Sequence, residues 1–419
     1  MSEPRALVYA DVRGETRRVG RLWASAGKGR EAASFQYDDE WLAGRDSFAL
    51  DPALPLGGGA FHTGGGRPLF GALDDCSPDR WGRSLVARAE RRLAREEGRA
   101  PRTLFAVDYL LGVSDEVRQG ALRFAAAEGG PFLAASEGVS VPPMVYLPRL
   151  LAATDRVLAD EESAEDLRLL LAPGGSLGGA WPKASVRDQG GDLLIAKFPA
   201  LHYEYNVVRW EAVALALARK AGVPVSDWRI ETVLDRHVLL LRRFDRQGRE
   251  RIPFLSAMSM LGAKDGETHS YLEIADALRG YGAAATIDLK DLWRRIVFGV
   301  LVSNTDDHLR NHGFLWEGSS GWRLSPAYDL NPTPTDLRSR ILQTAIGEDE
   351  DLSASLDLAL GVSKSFGLKL ADAKAIAREV GRVVGGWRRE AATIGIREAE
   401  IDRMVSAFEH EDLEAARRL

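Results

Sequence analysis

Through much of the first 243 residues apolar and polar side chains alternate, and from about residue 274 apolar residues recur at helical spacing instead. No other feature restricts the fold as strongly, because a chain that spends its strands early and its helices late must segregate them. "ALVYADV" and "RRVGRLWAS" flank "RGET" as two arms flank a hairpin turn, and "EAASFQYD" alternates in the same way. "GDLLIAKFPA", "WRIETVL" and "HVLLLRRFD" supply further strands, with "RDQGG" as the turn before the first of them. "VVRWEAVALALARKAG" reads as an amphipathic helix stopped by Gly222. The expectation is an α+β fold, a small β-lobe followed by a mostly helical lobe. A chain of 419 residues can hold roughly two or three cores. The linker-like composition of residues 125–143 marks the first boundary, and the expected segments are 1–124, 140–243 and 244–419.

A net charge of −6 argues against general nucleic-acid binding but leaves room for local basic patches. One candidate is a helix opened by Ser77 as N-cap and Pro78 as first residue, which carries Arg80, Arg83, Arg88, Arg91, Arg92 and Arg95. A solvated helix face explains such a run; docking on an acidic partner or a phosphate backbone is the alternative. Cys76 is the sole cysteine, so neither an intrachain disulfide nor a cysteine zinc cage can form. The first twenty residues lack the apolar core of a signal peptide, and no stretch approaches the roughly 20 apolar residues of a membrane span. The expected location is cytoplasmic, with no membrane partner.

Chemistry concentrates in "LVSNTDDHLRNHGFLW", residues 301–316. Asp306 and Asn311 lie five apart, the spacing between the base and the metal-binding asparagine of a protein-kinase catalytic loop. There an aspartate accepts the proton of the attacking hydroxyl while an amide oxygen holds Mg²⁺ against the phosphates. "GFLW" and "WRLS" around "EGSSG" read as a hairpin that returns "AYDLNPT" to the loop, with Asp329 as a second oxygen ligand. Capping a turn before Pro332 is the plainer role for Asp329. Lys197 sits in an otherwise apolar strand, where lysine is rarely tolerated unpaired. Kinases place their phosphate-holding lysine in such a strand, and Glu211 on the following helix would be its ionic partner. A lysine snorkelling from an edge strand is the alternative. "PGGSLGGA" fits neither the P-loop nor the kinase glycine pattern, yet Gly178 and Gly179 would let backbone N–H groups approach phosphate oxygens. His308 and His312, spaced i, i+4, could instead hold a metal from one helical face. Leu309 stands where a zinc protease needs glutamate. An Asp/His metal-dependent hydrolase is therefore the second reading, and it leaves Lys197 and the glycines unexplained.

"SLGGAWPKA", "IAKFP", "LLLRRFDR", "NTDDHLRN" and "SPAYDLNPT", with "FGALDDCSPDRWGRSL" and "VSDEVRQGALRF" before them, resemble the HipA-like serine/threonine kinases of HipA/HipB toxin–antitoxin systems. The resemblance runs in order over nearly the whole chain. It implies a two-lobed, protein-kinase-like fold: an extra N-terminal subdomain over 1–124, the ATP-binding part of the N-lobe over 140–243, and a helical C-lobe over 244–419. Asp306 would be the base, supported by His308, with Asn311 and Asp329 on Mg²⁺ and Lys197 on the ATP phosphates. "RRFD" falls at the family's hinge, where the backbone of Phe244 would meet adenine. Ser176 matches a serine that the family autophosphorylates. Phosphate there would repel nucleotide and be drawn toward Lys183 or Arg187. The implied partners are a protein substrate, an aminoacyl-tRNA synthetase in characterised members, and a small helix-turn-helix antitoxin that binds operator DNA. Arg242 stands where some members carry an acidic residue, which bears on specificity. A catalytically silent co-repressor module is the reading from another class, and the filled catalytic positions oppose it.

Overall fold

The computed structural model describes residues 3–27, 30–134, 141–171, 181–199, 205–348 and 351–419. The chain forms two compact units, residues 1–201 with 232–255 and residues 202–231 with 256–419. This division differs from the three segments read in the sequence. Segment 1–124 and most of 140–243 share the first unit, while the helix Val207–Lys220 counts with the second.

In the first unit β1 (Ala6–Val12), β2 (Glu15–Gly27), β3 (Arg30–Tyr37), β4 (Ala60–His62) and β5 (Leu122–Ala125) form one antiparallel sheet in the order β4-β3-β2-β1-β5. Arg13 and Gly14 close the first hairpin at φ 52° and 79°, the two-residue turn whose twist matches that of the strands. Gly20 is dictated by close approach, because a Cβ there would stand 2.1 Å from the Gln36 carbonyl oxygen.

A second sheet has the order β6-β7-β9-β8, from β6 (Lys183–Arg187), β7 (Leu193–Lys197), β8 (Trp228–Val233) and β9 (Arg236–Arg242). Leu234 and Asp235, at φ 47° and 62°, turn β8 into β9. Val186, Leu194, Ala196, Val238 and Leu240 pack with Leu150, Leu151, Val157, Leu167 and Leu170 from the helices Leu147–Leu158 and Ala164–Leu171. Each large side chain buried in that layer stabilises it by roughly 1.5–3 kcal/mol.

The arginine-rich helix, Arg80–Glu96, begins later than its sequence suggests. Its N-cap is Asp79, which accepts from the Gly82 N–H at 2.7 Å, whereas Ser77 donates to Leu73. Nor are its arginines simply a solvated face. Arg88 pairs with Asp160 at 2.7 Å and Glu162 at 3.0 Å, Arg92 donates to the Glu162 carbonyl, and Arg83 lies over the ring of Tyr109.

In the second unit the helix Val207–Lys220 is not amphipathic as its sequence suggests. Every residue from 210 to 218 is buried, Val207 and Arg209 are partly so, and only Arg219 and Lys220 are exposed. It stops at Gly222 as expected: with this residue at φ 74°, the Gly222 and Val223 N–H groups satisfy the carbonyls of Arg219 and Ala218. Trp210 packs against Trp387 and Phe408, and its indole N–H donates to Glu400 at 3.0 Å. The helix Ala285–Leu301 supplies much of this unit's core through Leu292, Trp293, Ile296, Val297 and Phe298. Among the described residues no helix is long and apolar enough to cross a membrane.

Candidate active site

The helix Ala285–Leu301 ends abruptly. Ser303 takes the left-handed conformation at φ 50°, so that its N–H reaches the Val300 carbonyl and the Asn304 N–H reaches that of Gly299. Glycine usually fills this position; a serine there costs about 1 kcal/mol or more. Ser303 is held by Arg340, whose Nε donates to its Oγ at 3.2 Å and whose Nη2 donates to the Val300 carbonyl at 3.0 Å. The sharp exit buries Asn304 and Thr305 and brings Asp306 out, its side chain 52 % exposed.

Three of the residues singled out by spacing belong to one hydrogen-bonded loop system. The Asn311 Nδ2 donates to the Asp306 backbone carbonyl at 3.2 Å, which leaves the amide oxygen as the end available to a cation. The strands Gly313–Trp316 and Trp322–Leu324 pair as the sequence suggests, with Trp316 opposite Trp322, and Ser325 N–H closes on the Gly313 carbonyl at 2.8 Å. The returning chain is pinned on both sides of the loop: Tyr328 donates to the Arg310 carbonyl at 2.6 Å, and the Asn331 N–H to Asn304 Oδ1 at 3.0 Å. Asp329 lies between these two pins at φ 57°, its Oδ1 accepting from Asn331 Nδ2 at 3.2 Å.

Beneath this surface is a residue that spacing did not single out. Asp307 is buried and accepts from the Tyr271 hydroxyl at 2.5 Å, with His312 Nε2 at 3.1 Å from the same oxygen. Its own carbonyl takes the Thr344 hydroxyl at 2.9 Å. Burial pushes the Asp307 carboxyl up, but His312, Tyr271 and Arg295 outweigh it and hold the group below the ordinary carboxylate value. Burial and the adjacent Asp307 raise the Tyr271 hydroxyl well above its usual range. The pairing of His312 with Asp307 removes the shared helical face proposed for His308 and His312. Only the short 3₁₀ turn Leu309–Asn311 separates them, and His312 is wholly buried against Tyr271. Among the described residues no group of three or more histidine, cysteine, aspartate or glutamate side chains is placed to hold a metal ion. Asn311 and Asp329 nonetheless fit Mg²⁺, which commonly takes one or two protein oxygens and completes its shell with water and phosphate.

In the first unit Lys197 ends β7, half-buried, opposite Lys183 on one side and Leu239 on the other. Two lysines facing each other across strands would destabilise the pair, but Lys183 is neutralised by Asp79 at 2.6 Å with both side chains buried. Arg187 is engaged by Glu116. Both cations suggested as docking points for a phosphorylated Ser176 are therefore already committed. Ser176, Gly178 and Gly179 themselves lie outside the described residues. Glu211, in the second unit, is buried on the helix Val207–Lys220.

The "RRFD" segment, expected as the hinge, holds more structure than its sequence discloses. Phe244 packs near Phe254 at 6.0 Å between two buried charges, Arg243 and Asp245, which meet at 2.5 Å. Arg243 also donates to the carbonyls of Val117 and Arg118, and Asp245 accepts from the Gly120 N–H at 2.7 Å and from Arg246 at 2.8 Å. These contacts lock the motif to residues 117–120. Arg242, by contrast, is exposed and pairs with Asp192 at 2.8 Å.

Near the loop's base, Arg340 also pairs with Asp412 at 2.6 Å. Burial, together with Arg340, pushes the neighbouring His410 imidazole down to about 4. The unfolded chain therefore binds this proton first as pH falls. His410 should contribute its full stability above about pH 6.5 and lose it as pH drops toward 4, at most about 3 kcal/mol. The measurement is urea unfolding of His410→Gln beside the wild type: the variant's stability should fall less across that window, and identical slopes would exclude His410.

Residues 175–387 match the family of the HipA-like C-terminal domain, and residues 10–106 match the HipA N-terminal domain. A kinase-named protein of Haemophilus influenzae is 29 % identical over 115 residues, 27 % of this chain and 33 % of its own length. Another, of Sinorhizobium fredii, is 25 % identical over 177 residues, 39 % of this chain and 40 % of its own length. The chain thus spans well under half the length of these curated relatives. Among solved structures, the HipA, HipB and operator DNA complex of a Shewanella oneidensis toxin–antitoxin system contains a chain similar to this one. The match has a TM-score of 0.67 at 17 % identity and covers 99 % of this chain and 96 % of that one. At that identity the likeness is one of fold.

Proposed function

The chain belongs to the HipA-like family, and on that footing we propose that it is an ATP- and Mg²⁺-dependent serine/threonine protein kinase with a two-lobed, kinase-like fold, the toxin of a toxin–antitoxin pair. The observation that carries the reading is the hydrogen-bonded loop system that presents Asp306 to solvent, orients the Asn311 amide oxygen and pins the segment bearing Asp329. Asp306 accepts the acceptor hydroxyl's proton as that oxygen bonds to the γ-phosphorus of ATP. The bond from γ-phosphorus to the bridging oxygen breaks, and ADP leaves with the electron pair. Asn311 and Asp329 would hold Mg²⁺, which when bound supplies charge neutralisation on the phosphates. Lys197 adds a cation for those phosphates, with Glu211 as its proposed ionic partner. His308 supports the loop, and the Phe244 backbone meets adenine.

Gly178 and Gly179 are proposed to cover the phosphates, and Ser176 between them and Pro173 to receive phosphate from the chain's own activity. A small helix-turn-helix antitoxin, and operator DNA through it, are the proposed partners, with a protein such as an aminoacyl-tRNA synthetase as target and the cytoplasm as location. The test is incubation of the purified chain with γ-labelled ATP. Label should enter the chain only with Mg²⁺, and peptide mass spectrometry should find phosphate on Ser176. Absence of both ATP binding and transfer would overturn the kinase reading, whereas phosphate found only elsewhere would remove Ser176 alone.

A further inference from the structure

We propose that Arg338 and Gln343 are positioning residues that set the orientation of the base. The inference rests on the kinase reading above and extends it to residues that no motif marks. Arg338 Nη1 and Gln343 Nε2 each donate to Asp306 at 2.8 Å, and both choose the same oxygen, Oδ1. Among the described residues both hydrogen bonds to the carboxylate fall on Oδ1 and none on Oδ2. The torsion that turns a carboxylate is soft, so an exposed aspartate left to itself samples many orientations. Two donors on one oxygen fix the plane and leave the other oxygen for the incoming hydroxyl.

The donors come from a segment that is itself held. Between them Arg340 reaches the Val300 carbonyl, the Ser303 hydroxyl and Asp412. The Leu342 N–H donates to the Leu352 carbonyl at 2.7 Å, and the Ala354 N–H to that of Arg340 at 3.0 Å. Just past Gln343, the Thr344 hydroxyl holds the Asp307 carbonyl, one residue from the base. A segment anchored at so many points carries Arg338 and Gln343 to Asp306 already in place, which is what orienting a general base requires. The same contacts could be drawn as a latch that blocks the base, but a latch would have to cover the oxygen that takes the proton, and Oδ2 is left open. The two arrangements predict opposite signs.

The experiment compares wild type, Arg338→Ala, Arg338→Lys, Gln343→Ala and Asp306→Asn in the full chain, with ATP–Mg²⁺ as the probe and label transfer to the chain itself as the readout. Arg338→Ala should lower the transfer rate about tenfold with KM for ATP unchanged. Arg338→Lys should recover most of it, and Gln343→Ala should lose about threefold. The melting temperature should not move, because an exposed ion pair adds little to stability. In the Asp306→Asn background Arg338→Ala should cost nothing further, since the group it orients is already lost. A rate for Arg338→Ala at or above wild type, or a tenfold loss that persists without Asp306, would overturn the proposal. Full activity of Asp306→Asn would strike Asp306 as the base and the positioning proposal with it, whereas a wild-type chain that neither binds ATP nor transfers label would strike the kinase reading, so the two failures are told apart.

Discussion

Asparagine in place of Asp306 is expected to slow phosphotransfer about 10²–10⁴-fold, the usual cost of losing a general base, while the chain stays folded and binds ATP. The substitution keeps the side chain's shape, and the amide oxygen can still accept from Arg338 and Gln343. The group is more than half exposed, so no buried charge is stranded and stability should change by less than about 0.5 kcal/mol. What disappears is the second oxygen's capacity to take a proton. Asp329→Ala should fail differently, by losing Mg²⁺-dependent nucleotide binding. Single-turnover transfer and equilibrium nucleotide binding, measured on both variants, separate the roles. A wild-type rate for Asp306→Asn would exclude it as the base.

Much of this was legible because it depends on local pattern. The hairpin around Arg13 and Gly14 follows from alternation interrupted by a turn pair, and the hairpin of Trp316 and Trp322 follows in the same way. The helix stop at Gly222 is equally local, since one glycine in the left-handed region satisfies two carbonyls. What stayed hidden depends on partners far along the chain. Asp307 sits beside Asp306 in "NTDDH", and nothing in the sequence says which of the two is buried on Tyr271 and His312. Arg338 lies 32 residues from Asp306, which it touches, in a stretch without a motif. Ser77 looks like a helix N-cap until Asp79 is seen to cap Gly82 and pair with Lys183 at once. The helix Val207–Lys220 looks amphipathic because Arg209, Glu211 and Arg219 are polar, yet Glu211 is buried and Arg209 donates to the Ile394 carbonyl.

Arg243→Ala is expected to cost the chain about 3–5 kcal/mol, the penalty for removing one member of a buried ion pair. That is a large part of the 5–15 kcal/mol that holds an ordinary domain together. The reason is what stays behind: Asp245, buried, with Arg246 and the Gly120 N–H as its remaining partners, and the Val117 carbonyl without its donor. Burial drives the Asp245 carboxyl up, and Arg243, Arg246 and the Gly120 N–H together bring it below the usual carboxylate range; the first-ranked of these leaves with Arg243. Cys76 offers a direct reporter. Its thiol is buried and pushed up to about 12, and its carbonyl accepts from Arg118, whose own carbonyl accepts from Arg243. A thiol reagent should therefore reach Cys76 only when this region opens, and in Arg243→Ala labelling should accelerate at least about 10²-fold, the population change that 3 kcal/mol produces. Replacing the whole charge cluster, Arg243→Met and Arg246→Met with Asp245→Leu, abandons none of these three charges and should cost less than the single variant, because Arg246 is itself buried on Asp245. If the triple variant were as unstable as Arg243→Ala, the loss would lie in packing and backbone contacts rather than in the stranded carboxylate. If neither melting nor labelling moved in Arg243→Ala, Arg246 and the Gly120 N–H would be enough to hold Asp245, and the lock between residues 243–246 and residues 117–120 would not depend on Arg243.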